Sequence, residues 1–111
     1  MNAEETIKEF KSNCEKYSGG KNDMKGVITG LMNKACGGEA NRYLVLKALT
    51  GKTSSKLLTD AEWYGLLLLI QPEKPEGGKW QSAIGDYELS LICGQILGFS
   101  AKQDGQLEIP F

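Results

Sequence analysis

The chain has 111 residues, of which 41% are hydrophobic and 24% are charged, and its formal net charge is −1. That composition is ordinary for a globular protein, and the length suits one domain with a single modest core rather than two. There is no histidine, which removes the side chain behind most acid–base and zinc chemistry near neutral pH. We therefore expect no metal or cofactor.

The three cysteines are also uninformative about catalysis. Cys14, Cys36 and Cys93 lie far apart and have no C-x-x-C spacing, so a disulfide framework or a metal site is not indicated. The start of the chain, "MNAEETIKEF", lacks the apolar region of a secretory signal. The longest apolar run, "LLLLI", is too short to span a bilayer. Together these features predict a cytoplasmic protein with reduced thiols and no membrane partner.

The first half of the chain predicts three short helices. Apolar residues recur at helical spacing in residues 3–17, 23–35 and 39–49. The polar, glycine-containing segments "SGGKND" and "CGGEA" separate them, and glycine there suits a helix end.

A fourth helix carries the clearest local signal. Thr59 and Glu62 form the pattern of a capping box, in which each side chain can accept a hydrogen bond from a free backbone N–H. Leu58 can pack on Trp63 as a hydrophobic staple. The helix should end before Pro72, because proline disfavours helical geometry in the residue before it.

After the exposed loop "QPEKPEGGK", a fifth helix is predicted over residues 82–97, with Gly98 as its end. The fold class is therefore all-α, with about five short helices in one compact domain. We predict a helical domain over residues 1–99, containing a helix-turn-helix-like hairpin. Residues 100–111 are predicted to be a short disordered tail that docks on partners.

Charge is distributed unevenly along the chain. Residues 21–56 hold seven basic and two acidic residues, a local net charge of +5, whereas residues 57–111 hold three basic and eight acidic ones. A basic segment points to a polyanion such as DNA, although lysines also simply solvate helix surfaces. Trp80 could stack on a base or cover the edge of the core, the second role being the commoner one. The candidate nucleic-acid-binding residues are Lys21, Lys25, Lys34, Arg42, Lys47, Lys52, Lys56 and Trp80.

Catalysis is not predicted. "TGKTSS" resembles the end of a phosphate-binding loop, but that pattern requires glycine where this chain has Leu46, and it follows a helix rather than a strand. Without histidine, no spacing singles out a nucleophile and its base. Asp60 and Glu62 are explained by the helix start. We expect a protein that is not an enzyme.

Residues 46–63 resemble a helical hairpin of phage DNA-metabolism proteins. The shared pattern is a helix, T-G-K-x-S, a short gap, L-T-x-x-E and a second helix. It is seen in Mu-type GemA-like regulators and in the C-terminal part of some phage single-strand annealing proteins. In this sequence it is matched by Thr50, Gly51, Lys52, Ser54, Leu58, Thr59 and Glu62. The resemblance implies a role in phage or mobile-element DNA metabolism.

The last residues resemble the tip of bacterial single-stranded DNA-binding proteins (SSB). In that family an acidic segment ends in Ile-Pro-Phe, the phenylalanine fills an apolar pocket on a partner, and a basic residue holds its carboxylate. Asp104, Glu108, Ile109, Pro110 and Phe111 match this pattern.

The same segment also resembles a second docking peptide. Gln106, Ile109 and Phe111 fit Q-x-x-[LI]-x-F, the sliding-clamp-binding peptide of bacterial replication proteins. A third alternative is that the two apolar side chains fold back on the domain.

These features together predict an accessory protein of DNA replication or recombination from a phage or other mobile element. It would bind single-stranded DNA through basic helices and recruit host replication or repair proteins through its tail. The alternative is an adaptor or inhibitor that binds no nucleic acid and docks on an SSB partner or a sliding clamp. The sequence leaves self-association open.

Overall fold

Five α-helices form most of this computed structural model, which describes residues 2–108 and, for side chains, residues 2–100. A single 3-10 turn at Ser55–Leu57 precedes the fourth helix, and two short strands, β1 (Pro72–Glu73) and β2 (Gln81–Ser82), precede the fifth. The prediction of an all-α fold with five helices is confirmed. The helices are α1 (Ala3–Glu15), α2 (Lys25–Cys36), α3 (Glu39–Thr50), α4 (Asp60–Ile70) and α5 (Asp86–Glu108).

The most extensive helix–helix contact is the one between α1 and α4. A Cβ atom added to Gly65 of α4 would lie 2.5 Å from the sulfur of Cys14 and 2.9 Å from the ring of Phe10. Only glycine allows this approach without displacement of a neighbour. The fully buried Phe10 ring therefore packs against the backbone of α4.

Local sequence sets the start of α4 as predicted. The Thr59 hydroxyl accepts a hydrogen bond from the Glu62 amide at 3.1 Å, and the Glu62 carboxylate accepts one from the Thr59 amide at 2.8 Å. Leu58 and Trp63 are both buried in the core. The helix ends at Ile70, before Pro72, and Gln71 takes a left-handed conformation with φ of 53°.

The predicted helix–turn–helix unit is present as α3, the 3-10 turn and α4. Its two helices pack chiefly on other elements, because α4 lies on α1 whereas α3 lies on α5 and α2. The unit therefore contributes to the core of the whole domain rather than to a separate hairpin.

The loop between α4 and α5 is more ordered than its sequence suggested. Pro72 pairs with Ser82, and Glu73 pairs with Gln81, in a two-stranded antiparallel ladder. The Ser82 hydroxyl is buried and donates to the carbonyl oxygen of Ile70, which ties the ladder to the end of α4. These contacts move the start of α5 from the predicted residue 82 to Asp86.

The predicted end of the last helix at Gly98 is wrong, because α5 continues to Glu108. An interior glycine costs a helix about 1 kcal/mol relative to alanine but does not end it. The residues that follow are mostly good helix formers, and no proline occurs between Asp86 and Glu108. No helix within the described residues, α5 included, combines the length and apolarity needed to cross a bilayer.

The core lies where all five helices converge. Its largest fully buried side chains come from every helix and include Phe10, Ile28, Leu46, Leu66 and Ile96. Cys36 of α2 and Cys93 of α5 are buried in it as free thiols, whereas Cys14 is half-buried. A hydrogen bond between the two buried thiols lowers the pKa of Cys36 and raises that of Cys93.

Candidate nucleic-acid interface

Arg42 is not available to a nucleic acid, in contrast to the sequence-based prediction. Its side chain is only 6% exposed. Nε donates to Oδ1 of Asn33 at 2.6 Å, and Nη2 lies 3.6 Å from a Glu39 carboxylate oxygen. The guanidinium also covers the Tyr43 ring. Arg42 thus joins α3 to α2, since Asn33 belongs to α2, although Nη1 is buried and has no hydrogen-bond acceptor within the described residues.

Lys52 is also engaged within the protein. Its ammonium group forms an ion pair and hydrogen bond with the Glu62 carboxylate, ten residues along the chain. Burial alone would raise the pKa of Glu62, but the hydrogen bonds from Lys52 and Thr59 outweigh it and hold the pKa below its ordinary value. Lys52 therefore supports the start of α4 rather than offering a free charge.

Lys25 and Lys34 lie at opposite ends of α2 and on opposite sides of it, because nine residues correspond to about two and a half helical turns. Lys25 lies 3.9 Å from an Asp60 carboxylate oxygen, near the Trp63 ring. Lys34 lies 3.3 Å from a carboxylate oxygen of Asp86. Both pairs are exposed, so they contribute little stability and a phosphate can compete for the lysine.

The remaining candidates are dispersed. Lys21, Lys47 and Lys56 are exposed and have no ion pair with any side chain in residues 2–100. They belong to the α1–α2 loop, to α3 and to the 3-10 turn. Since one candidate is buried and two others point away from each other, the seven basic residues do not share a single face.

Trp80 is better placed than the basic candidates to contact a nucleic acid, because a base could stack on its ring. It is 38% exposed, so it does not merely cover the core. It lines an open groove of about 460 Å³ beside α2, together with Val27, Gly30, Leu31, Lys34 and Lys79. A Cβ atom at Gly30 would meet nothing within 4 Å, so the space in front of this residue is open. The groove thus combines an aromatic ring, two lysine side chains and apolar side chains of α2.

Two of these groove residues were missed by sequence reasoning. Lys79 lies outside the basic segment, and its only signal was its position next to Trp80 in "GGKW". Gly30 carried no charge or motif, and only the packing of the loop over α2 gives it a place in the groove.

The predicted docking segment, residues 104–111, lies wholly beyond the residues whose side chains are described. The backbone of Asp104, Gln106 and Glu108 belongs to α5. Ile109, Pro110 and Phe111 lie outside the described residues, so their role stays a prediction.

Among the described residues, no group of three or more histidine, cysteine, aspartate or glutamate side chains is placed to hold a metal ion. Comparison of the chain with protein families, with characterised proteins and with solved structures finds no match.

Proposed function

We propose that this chain is a cytosolic, non-enzymatic accessory protein of DNA replication or recombination, of phage or mobile-element type. It holds single-stranded DNA in the groove beside α2 and recruits host replication or repair proteins through residues 104–111. The observation that carries the DNA-binding part is the half-exposed Trp80 ring beside Lys34, Lys79 and the open backbone of Gly30.

The groove has the features that sequence-tolerant single-strand binding requires. A base stacks on an aromatic ring whatever its identity, and each such stack contributes about 1–3 kcal/mol. The two ammonium groups would contact the phosphates on either side of the stacked base. Asp86 competes for Lys34, but that ion pair is exposed and therefore weak.

Tryptophan fluorescence tests the site directly. Trp63 is 6% exposed and Trp80 is 38% exposed, so a Trp63→Phe variant leaves Trp80 as the reporter. Addition of oligothymidine should quench its emission at low salt. Trp80→Ala, measured by filter binding, should weaken binding by about 1–3 kcal/mol. A Trp80 signal that no oligonucleotide changes at low salt would refute the site.

The salt dependence of DNA binding distinguishes binding in the groove from non-specific binding to the dispersed positive charge. Each neutralised phosphate of a single strand contributes a slope of about −0.7 in log K against log salt. Lys34→Gln and Lys79→Gln should each make this slope less negative by about 0.7, because each removes one phosphate contact. Lys47→Gln is the matched control, because Lys47 is exposed on α3 and does not line the groove. Equal effects from all three would favour diffuse charge over a site.

The second candidate is an adaptor or inhibitor that binds no nucleic acid and docks through the same C-terminal segment. This function is favoured by the contacts that Arg42 and Lys52 make within the protein, because those contacts reduce the free positive charge of the basic segment. A low-salt gel shift with a labelled oligonucleotide distinguishes the two functions.

The docking segment can be tested separately. Deletion of Phe111 should abolish pull-down of bacterial replication and repair proteins. Gln106→Ala should weaken only sliding-clamp binding, whereas one glycine added after Phe111 should weaken SSB-type docking more, because it moves the carboxylate. Pull-down that is unchanged by the deletion would refute both modes.

A further inference from the structure

Two of the three thiols meet inside the core. Cys36 of α2 and Cys93 of α5 are 6% and 3% exposed, and the two helices pack on each other. The S–H group of Cys93 donates a hydrogen bond to the sulfur of Cys36. Cys14 lies elsewhere, with its sulfur facing Gly65 of α4. The pair therefore joins two helices that are distant in the sequence.

The surroundings favour the thiolate of Cys36 over that of Cys93. The hydrogen bond with Cys93 lowers the pKa of the Cys36 thiol, burial opposes this effect, and the positive charge of Arg42 adds to it. The same hydrogen bond, together with burial, raises the pKa of Cys93. The pair thus consists of one thiol that can act as a nucleophile and one that stays protonated beside it, the arrangement that redox-sensitive thiols use.

Cys36 is easier to reach than Cys93. It is the last residue of α2, and it is followed by Gly37 and Gly38, which both have positive φ. Helix ends open more often than helix interiors, so the last turn of α2 can expose Cys36 while the domain stays folded. Cys93 lies in the interior of α5. A small reagent should therefore meet Cys36 first.

We propose that Cys36 and Cys93 form an oxidation site, which a hydroperoxide converts to a disulfide between α2 and α5. With hydrogen peroxide, the Cys36 thiolate attacks one oxygen and the O–O bond breaks. The departing hydroxide takes up the proton that Cys36 had released and leaves as water, so Cys36 becomes a sulfenic acid. When the end of α2 closes, the Cys93 sulfur attacks the Cys36 sulfur and the S–O bond breaks. The second hydroxide leaves as water with the proton of Cys93.

The two thiols supply both electrons, and the peroxide becomes two molecules of water. An apolar cavity of about 10 Å³ borders Cys93, which gives the core some room for the sulfur atoms to move into bonding distance. In a reducing compartment such a bond is transient and responds to oxidants. The site is independent of DNA binding, because neither cysteine lines the groove beside α2.

Peptide mapping by mass spectrometry of the full chain tests the pairing. After treatment of the folded protein with a small excess of hydrogen peroxide and alkylation in denaturant, the chain should lack two hydrogen atoms and carry one alkyl group, on Cys14. The peptides that contain Cys36 and Cys93 should stay joined until a reductant is added. Alkylation of all three cysteines, or a linkage that includes Cys14, would overturn the proposal.

The disulfide should also change thermal stability. The oxidised protein should melt about 5–15 °C above the reduced protein, because the bond closes a long loop, and dithiothreitol should reverse the change. Cys93→Ala should stop at the sulfenic acid of Cys36, which dimedone traps, and should show no such rise. Cys14→Ala is the matched control and should retain both the disulfide and the rise. A disulfide that forms only in urea that unfolds the chain would overturn the proposal.

The order of reaction has its own test. The side-chain amide of Asn41 donates to the carbonyl oxygen of Cys36 at 2.9 Å and holds the end of α2. Asn41→Ala should speed disulfide formation about fivefold, because one hydrogen bond that resists opening is lost. Thr29→Ala is the control, since the Thr29 hydroxyl donates to the Lys25 carbonyl oxygen at the other end of α2. A rate that Asn41→Ala leaves unchanged would overturn the assignment of Cys36 as the thiol that reacts first.

Discussion

Gly65 of α4 and Gly94 of α5 both lie inside helices, but their surroundings are opposite. The Cβ position of Gly65 is occupied by Cys14 and Phe10, whereas that of Gly94 is open. In the α1–α4 contact, glycine is needed for packing within the domain. On the outer face of α5 it has no such role, so that face is free to meet another surface. Substitutions in the two regions should therefore differ in their effects on stability.

The largest difference should come from two aromatic residues. Phe10→Ala should lower the free energy of unfolding by about 3–5 kcal/mol, because it empties the contact beneath Gly65. Tyr87→Ala, on the outer face of α5, should change it by less than about 0.5 kcal/mol. Urea denaturation at low protein concentration measures both. Similar losses from the two variants would contradict the assignment of Tyr87 to the surface.

The same substitution at the two glycines should change stability in opposite directions. Gly65→Ala should cost about 1–3 kcal/mol, because the added methyl group meets Cys14 and Phe10 and overpacking outweighs better helix propensity. Adding Cys14→Ala should recover part of the loss, since the sulfur is the nearest atom. Thermal denaturation of the single and double variants provides the measurement. A Gly65→Ala protein as stable as the original would show that α1 and α4 are not in this contact.

On the α1–α4 side of the domain, the contribution of Glu62 to the free energy of unfolding should depend on pH. Because the pKa of Glu62 is held below its ordinary value of 4.5, its contribution is fully present above that pH and is lost as pH falls through the folded-state pKa. We expect about 1 kcal/mol, which is the typical size of a helix cap. Urea midpoints at pH 7 and pH 3 should differ less in Glu62→Gln than in the original protein. Asp60→Asn, two residues earlier and in an exposed ion pair with Lys25, should leave this difference nearly intact.

The smallest expected effect is a gain in stability. Gly94→Ala should raise the free energy of unfolding by about 0.5–1 kcal/mol, because its Cβ atom meets nothing and alanine is the better helix former. The measurement requires dilute protein, so that any effect on self-association does not enter. A loss of stability would mean that Gly94 packs inside the domain.

The sequence predicted those features that depend on neighbours along the chain. The capping box of Thr59 and Glu62 and the end of α4 before Pro72 are set by contacts within a few residues, and both are confirmed. The end of α5 was predicted wrongly because Gly98 weakens a helix without stopping it, and the pattern beyond it still favours helix.

Features that depend on distant residues were not predictable in the same way. The charge of Arg42 suggested exposure, but its partner Asn33 belongs to the preceding helix. Lys52 finds Glu62 only because the turn after α3 returns to the start of α4. The groove around Trp80 needs residues from α2 and from the loop before β2, and no spacing relates them.

The three thiols differ in burial, so their reactivity can report local opening of the protein. Cys14 is half-buried, whereas Cys36 and Cys93 are buried on the two sides of the α2–α5 contact. A thiol-labelling reagent reacts with a thiolate that it can reach. Cys14 should therefore be modified first, and the other two only when α2 separates from α5. Their labelling rates, followed by mass spectrometry, would report how often the core opens without the introduction of any probe.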